Sequence, residues 1–382
     1  MVPPKAAAAG GVCAASETAN SAQKAGIGCM PWGSLYNLEL IPFVEKAGCW
    51  FLHSGIREPS GGVARFHLSD TGKNVGVSAE ITGYAASALC YLHSLSGQPE
   101  YLDAAVRAAR YLTREIWDWG ACTFPFEPHS RLAYFFDLGI IVRGLLAVGR
   151  ATGEREFLDR ARDAALSMAF DFMGEKGFHP VISLPDKQPV PYETRWSRGP
   201  GCYQLKAALA WLETGEEHAV KLYESALAYA LATQETFLFA ESDREKQMDR
   251  LHAYCYFLEG ALPRADRPAV CSALSGGIER AARLFREIAP DFERSDVAAQ
   301  LLRVRLIAHH RGAVRLDEAA AEEEARRAEA YQAPSGGVLF GKKGRTVLPH
   351  INPVSAAFCL QALDLWEQHC SGRWTFELPH LI

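Results

Sequence analysis

Two turns of the chain have closely similar sequences: residues 95–103 read LSGQPEYLD and residues 151–159 read ATGEREFLD. A third copy begins at residues 212–215 with LETG. Each copy places a glycine where one helix would end, because glycine adopts the left-handed conformation that closes a helix, and an acidic residue where the next helix would start. The repeat therefore predicts an array of helical hairpins.

Helical segments of two kinds alternate around these turns. Residues 102–116 are apolar at helical spacing and carry Arg107, Arg110 and Arg114 on the other face, which predicts an outer helix with one exposed side. Residues 81–92 carry no charge, which predicts an inner helix enclosed on every side. Starting with an outer helix and alternating, the expected segments are 36–53, 78–95, 99–117, 130–151, 154–173, 202–213, 216–236, 247–261, 266–288, 295–310, 316–331 and 354–369.

The composition excludes several classes of protein. The 382 residues are 48% hydrophobic and contain 40 Lys and Arg against 45 Asp and Glu, so neither disorder nor a nucleic acid partner is indicated. The ten cysteines form no Cys-x-x-Cys pair and are expected to be reduced, as in a cytoplasmic protein. No stretch approaches the roughly 20 apolar residues of a membrane span. The sequence gives no indication of the oligomeric state.

A second repeat marks long loops before two inner helices. Residues 59–63 and 334–338 both read PSGGV. Long loops rich in glycine, aromatic and charged residues are able to build a binding site. Equally, the paired glycines would let the chain cross closely between hairpins.

These features resemble the six-hairpin (α/α)6 toroids, and several short motifs strengthen the resemblance. The motifs are PSGGV at 59–63, AEITGY at 79–84, FDLG at 136–139 and LHAY at 251–254. The group includes unsaturated glucuronyl hydrolases, N-acylglucosamine 2-epimerases and many glycosidases and polysaccharide lyases. The resemblance implies an all-α toroid of six hairpins, which is expected over residues 31–382. Residues 1–30 are expected to form a disordered tail, because the first residues are rich in Ala, Ser and Gly and contain no uninterrupted apolar stretch. The resemblance also implies a carbohydrate substrate.

Toroids with other chemistry are less similar. The Asp-x-Asp-Asp run of protonating terpenoid cyclases is absent from the sequence. Residues 196–201 read WSRGPG and are similar to a zinc motif of lanthionine cyclases, but Ser197 stands where the metal ligand belongs. Because a zinc site needs three or four matched ligands, no metal and no cofactor are expected.

Polar residues near the start of the inner helices are expected to meet at one end of a central funnel. Converging helix N-termini carry partial positive charge, which favours an anionic sugar. The candidates for substrate binding are Arg65, Arg195, Trp196, Arg198, Asp249, Arg250, His350 and Asn352. The alternative is that the arginines pair with acidic residues to join the hairpins, and that His350 and Asn352 form a rigid turn between Pro349 and Pro353.

Two carboxyl groups are the leading candidates for catalysis. Asp137 lies in a strongly apolar helix, where an ionised carboxylate is costly unless it is paired or functional, and Arg143 is the nearest pairing alternative. Glu80 follows Ser78 at the head of an otherwise uncharged helix, where it could also serve the helix dipole. Together they would supply the acid and base of glycoside hydrolysis.

Two further readings remain open. Tyr84 and His252 would suit proton abstraction beside a uronate carboxyl group, the step shared by epimerases and lyases, although a helical histidine is often a core residue. The absence of an established catalytic signature also leaves a toroid that binds glycan or protein without catalysis.

Overall fold

A computed structural model of the chain describes residues 40–175, 177–238 and 243–382. The predicted tail, residues 1–30, lies outside this part of the chain. The α-helices within the described ranges are α1 (Pro42–His53), α2 (Ala79–Ser96), α3 (Pro99–Tyr111), α4 (Phe135–Thr152), α5 (Arg155–Phe170), α6 (Gln204–Thr214), α7 (Glu217–Phe237), α8 (Arg244–Ala261), α9 (Pro268–Ile288), α10 (Ser295–His310), α11 (Glu318–Glu329) and α12 (Pro353–Cys370). None of these helices is long and apolar enough to cross a membrane.

The helices form two concentric layers, as expected. The even-numbered helices each pack against the next, and α12 packs against α2, so the inner ring closes. The odd-numbered helices pack outside this ring against their inner neighbours. Helix α4 shows why the inner helices are apolar, since every residue from Phe135 to Gly149 is buried. The predicted (α/α)6 toroid is confirmed.

The helix boundaries agree with the predicted segments to within a few residues at most ends. The inner helix predicted at 130–151 begins at Phe135 because the residues before it form a short strand, and the outer helix predicted at 99–117 changes from an α-helix to a π-helical turn after Tyr111. The outer helix predicted at 36–53 begins at Pro42, and residues 36–39 lie outside the described part of the chain.

Short antiparallel sheets precede four of the inner helices, and the sequence did not indicate them. The strands are β1 (Ala64–Leu68), β2 (Lys73–Val77), β3 (Leu132–Tyr134), β4 (Val181–Ser183), β5 (Phe292–Arg294), β6 (Gly341–Lys343), β7 (Thr346–Val347) and β8 (His350–Ile351). They pair in the orders β2-β1-β8, β3-β4 and β5-β6-β7. Strands β2, β3, β5 and β8 each lead into an inner helix and fix where it starts.

Both sequence repeats have a structural role. Gly97, Gly153 and Gly215 end their helices with φ of 69°, 74° and 74°, the left-handed conformation that the hairpin repeat predicts. In the PSGGV repeat, Gly61 and Gly336 have φ of 102° and 91°. A Cβ atom at Gly61 would strike the backbone carbonyl of Arg107 in α3, and one at Gly336 would strike that of Lys46 in α1. The repeat therefore lets each loop pack closely against an outer helix.

A buried ionic cluster fills the middle of the ring. Glu259 of α8 contacts Lys206 Nζ of α6 at 2.5 Å and also pairs with Arg303 of α10, and all three side chains are fully buried. The carbonyl oxygen of Ile382 accepts hydrogen bonds from Lys206 Nζ at 2.7 Å and from Arg303 at 3.2 Å. Residues 381 and 382 are buried, and Ile382 takes part in this cluster through its carbonyl oxygen.

Candidate active site

The first turns of the inner helices come together and form what we call the mouth of the ring. The side chains of Glu80 in α2 and Asp137 in α4 are close enough for their charges to interact. Phe136 of α4 packs against Tyr256 of α8 with ring centroids 4.6 Å apart. Arg294, directly before α10, reaches Asp249 of α8 at 2.7 Å. The mouth thus collects side chains from neighbouring hairpins around the ring.

Glu80 and Asp137 form what we call the mouth pair. Burial raises the pKa of Glu80 to about 7, and the positive charge of Arg65 offsets part of this rise. Burial and the nearby negative charge of Glu80 raise the pKa of Asp137 well above its usual range, again with an opposing effect from Arg65. Two carboxyl groups that repel each other in a desolvated site retain a proton between them at a pH where isolated carboxyls have lost theirs.

No cation makes a direct ion pair with the mouth pair in the described ranges. Asp137 is 7% exposed, and its Oδ2 atom has no hydrogen-bond partner there. Arg143, the pairing alternative in the sequence, instead binds Glu213 at 2.6 Å and the carbonyl oxygen of Leu381. A buried carboxyl without a partner is costly, so its presence calls for a reason other than packing.

Two tyrosines lie beneath the mouth pair. The phenol groups of Tyr84 and Tyr256 face each other, and burial raises the pKa of both well above the usual range. The negative charge of Glu80 contributes to both shifts, which places the tyrosines beside the pair. Tyr254, two residues earlier, points outward and donates to Gln234 at 2.7 Å.

His252 lies in a polar pocket next to Tyr256. Its Nδ1 atom is 2.7 Å from Gln300 Oε1 and 3.7 Å from Asp296 Oδ2. Arg294 donates to both carboxylate oxygens of Asp296, at 2.9 and 2.6 Å. Burial and the positive charge of Arg294 lower the pKa of His252 to about 4, against an opposing effect of Asp296. His252 is therefore neutral at neutral pH.

The candidate arginines have different surroundings. Arg65 pairs with Glu127 and lies over the ring of Phe126, yet it stays 37% exposed and close to the mouth pair. Arg198 contacts Glu193 at 3.1 Å and lies over Tyr134, as expected if it joins loops.

Two further arginines lie beside the 3-10 turn Trp196–Arg198. Arg195 is exposed. Arg250 donates to the carbonyl oxygens of Phe237 and Thr194 at 3.4 and 3.3 Å. Arg65 and Arg195 are therefore the cations best placed to meet a ligand.

The remaining candidates are partly engaged in structure. Trp196 packs edge-on against Tyr203 with centroids 5.0 Å apart. His350 lies in β8 and packs against Phe66. Asn352 caps α12, since its Oδ1 accepts from the next backbone N–H groups at 2.8 and 3.4 Å.

The structure adds two residues to the mouth. Arg294 contacts Asp249 and Asp296, and Tyr256 packs against Phe136 and His252. Arg294 could not be predicted from the sequence because it lies one residue before a helix, in a strand that the sequence does not reveal. Tyr256 lies close to His252 in the sequence, but nothing there distinguishes it from Tyr254. Within the described ranges, no group of three or more His, Cys, Asp and Glu side chains is arranged to hold a metal ion.

Comparison with known proteins supports the architecture. No protein-family model and no curated protein sequence matches the chain. Among solved structures, the cellobiose 2-epimerase of Spirochaeta thermophila aligns over 86% of this chain and 97% of its own, with a TM-score of 0.63 and 14% identity. A D-mannose isomerase aligns over 86% and 96%, with a TM-score of 0.64 and 13% identity.

An alpha-amylase from Clostridium perfringens aligns over 86% of this chain and 100% of its own, with a TM-score of 0.57 and 11% identity. Identity this low shows a shared fold and carries no reaction with it. Taken with the closed double ring and the six hairpins, the likeness shows that the chain has the (α/α)6 toroid fold of these structures.

Proposed function

We propose that the chain is a carbohydrate-active enzyme that hydrolyses a glycosidic bond of an acidic or oligomeric sugar, with Glu80 and Asp137 as its acid and base. The observation that carries this proposal is the mouth pair itself. Its carboxyl groups, Asp137 buried and Glu80 half-buried, come from neighbouring inner helices, repel each other and have no cation in direct contact within the described residues. The fold shared with several sugar enzymes supports the substrate class.

The electrostatics of the pair suit the chemistry of glycoside hydrolysis. One carboxyl must be protonated to donate to the leaving oxygen, while the other must be ionised to activate water or attack the anomeric carbon. A pair whose pKa values are raised and coupled holds one proton near neutral pH, which supplies one group in each form. Arg65 limits the rise of both pKa values and so keeps the ionised form accessible.

An acidic sugar is favoured by the charges around the pair. Arg65 and Arg195 both retain exposed surface, and guanidinium groups bind carboxylates through forked hydrogen bonds.

The epimerase or lyase alternative, through Tyr84 and His252, has weaker support. A histidine whose pKa is lowered to about 4 is a poor base for carbon-bound protons. The pKa of Tyr84, raised by burial, makes its phenol a poor proton donor. The third possibility, a toroid that binds glycan without turnover, is an outcome of the test below.

The test measures release of reducing ends from neutral and uronate-containing oligosaccharides by the wild type, Asp137→Asn and Glu80→Gln. Loss of either acid–base group is expected to lower kcat by about 10²–10⁴. The matched control is Asp364→Asn, a half-buried carboxyl of α12 that is hydrogen-bonded to Tyr91 and Gln368 and should change kcat little.

Three results would contradict the proposal. Turnover that survives Asp137→Asn but is lost in His252→Ala would favour the epimerase or lyase reading. Binding of an oligosaccharide without turnover would favour the non-catalytic reading. Equal loss in Asp364→Asn and Asp137→Asn would show that the substitutions act through folding.

A further inference from the structure

The pocket around His252 leaves one imidazole nitrogen engaged and the other free. Nδ1 faces Gln300 Oε1 at 2.7 Å and Asp296 Oδ2 at 3.7 Å. Tyr256 packs edge-on against the ring with centroids 4.5 Å apart. Nε2 has no hydrogen-bond partner among the residues that the structure describes, although only 9% of the His252 side chain is exposed.

The charges on this pocket determine which nitrogen carries the proton. Although burial opposes its ionisation, Arg294 holds the pKa of Asp296 below the usual range, so Asp296 is an anion. An anionic carboxylate and an amide oxygen both face Nδ1, and each favours a proton there. The other charged groups acting on the ring are Arg294 and Glu259. The neutral imidazole therefore has its lone pair on Nε2.

The free nitrogen belongs to the same cluster as the mouth pair. His252 packs on Tyr256, the phenol of Tyr256 faces that of Tyr84, and Glu80 acts electrostatically on both phenols. A neutral acceptor that no protein group occupies suits a hydroxyl donor, because an imidazole lone pair accepts hydrogen bonds.

We propose that Arg294, Asp296 and Gln300 are positioning residues that fix His252 as a neutral imidazole protonated on Nδ1, whose Nε2 accepts a hydrogen bond from a sugar hydroxyl group. This inference rests on the proposed function for the identity of the ligand, whereas the state of the ring does not depend on it. Orienting a histidine through its second nitrogen is the arrangement that also orders metal-bound and catalytic histidines.

The state of the ring is measured by long-range ¹H–¹⁵N NMR on the full chain labelled at histidine, with His252 assigned from a His252→Gln spectrum. We expect an unprotonated Nε2 and a protonated Nδ1 from about pH 8 down to about pH 5. A proton on Nε2, or a charged ring at about pH 6, would overturn the proposal.

Gln300→Glu provides a readout that a purely structural role would not change. Placing a carboxylate against Nδ1 should keep the same tautomer and raise the pKa of His252 by about one unit or more. Gln234→Glu, at a buried glutamine bonded to Tyr254 instead, should leave the His252 titration unchanged. An unmoved titration in folded Gln300→Glu would show that Gln300 does not control the ring.

The sugar contact is tested by adding cellobiose or D-glucuronate in excess to the labelled protein. A change in the Nε2 resonance is expected when a hydroxyl donates to it. If calorimetry detects binding and the Nε2 resonance stays in place, the contact is wrong. If neither sugar binds and no glycoside is hydrolysed, the proposed function and the sugar contact are both wrong. The NMR measurement of the His252 tautomer then still tests whether Arg294, Asp296 and Gln300 position the ring.

Discussion

The mouth pair and the buried ionic cluster both place carboxyl groups inside the ring, with opposite consequences. Glu259 is fully buried, yet two cations in direct contact hold its pKa below the usual range although burial alone would raise it. Asp137 is almost as buried, but burial and the negative charge of Glu80 raise its pKa, and the opposing effect of Arg65 is smaller. The partner of a buried charge, more than its burial, decides its ionisation state.

This contrast separates structural charge from candidate catalytic charge. In the ionic cluster, Glu259 is paired with Lys206 and Arg303. Both cations also donate to the carbonyl oxygen of Ile382. In the mouth pair, repulsion between the two carboxylates is unfavourable, and a substrate or a shared proton would relieve it. Sites with such perturbed groups are where acid–base chemistry is usually found.

Breaking the ionic cluster should have the largest effect on stability. Glu259→Gln leaves Lys206 and Arg303 buried without their anion, which is expected to lower the free energy of unfolding by about 3–5 kcal/mol. Urea denaturation at neutral pH measures the loss. The control is Glu156→Gln, whose partner Arg114 is 59% exposed, and it should cost less than about 1 kcal/mol. Equal losses in both variants would contradict the account.

Removing the charge of Glu80 should raise the stability of the fold instead of lowering it. Because the folded pKa of Glu80 is raised to about 7, the wild type loses stability as the pH rises from the unfolded pKa, about 4.3, through 7. Glu80→Gln should therefore gain about 1–2 kcal/mol at pH 8 and little at pH 4. The measurement is urea denaturation at both values of pH. A loss of stability at pH 8 would show that the carboxylate is already well paired.

A smaller effect is expected from the cation nearest the pair. Arg65 lowers the pKa of both carboxyl groups, so Arg65→Gln should move the pH profile of kcat/KM to higher pH by roughly half a unit, with the shift limited by solvent screening. Arg114→Gln, on the outer surface, is the matched control and should leave the profile in place. An unchanged pH profile in Arg65→Gln would show that Arg65 does not influence the pKa values of the mouth pair.

The fold could be predicted from the sequence because helix period and hairpin glycines are local signals. The short strands before α4 and α10 could not be predicted, because three residues are too few to show the alternation of apolar and polar side chains that is typical of a strand. Their absence from the prediction explains why α4 was expected to begin too early and why Arg294 was missed.

The sites could be predicted only in part, for a different reason. Asp137 was found because it is a charge in an apolar inner helix, but Glu259 and Lys206 give the same signal and have a structural role. Pairing between helices that are distant in sequence decides which charge is satisfied. Only the closed ring shows that Arg143 turns to Glu213 and leaves Asp137 unpaired.

The central claim is that the mouth pair shares a proton near neutral pH while Glu259 does not. Carboxyl ¹³C NMR of the full chain, labelled at Asp and Glu and assigned with Asp137→Asn, Glu80→Gln and Glu259→Gln, measures all three groups in one titration. We expect the mouth pair to retain a proton at about pH 6 and Glu259 to be ionised throughout the folded range. Full ionisation of both Glu80 and Asp137 at about pH 5 would contradict the account.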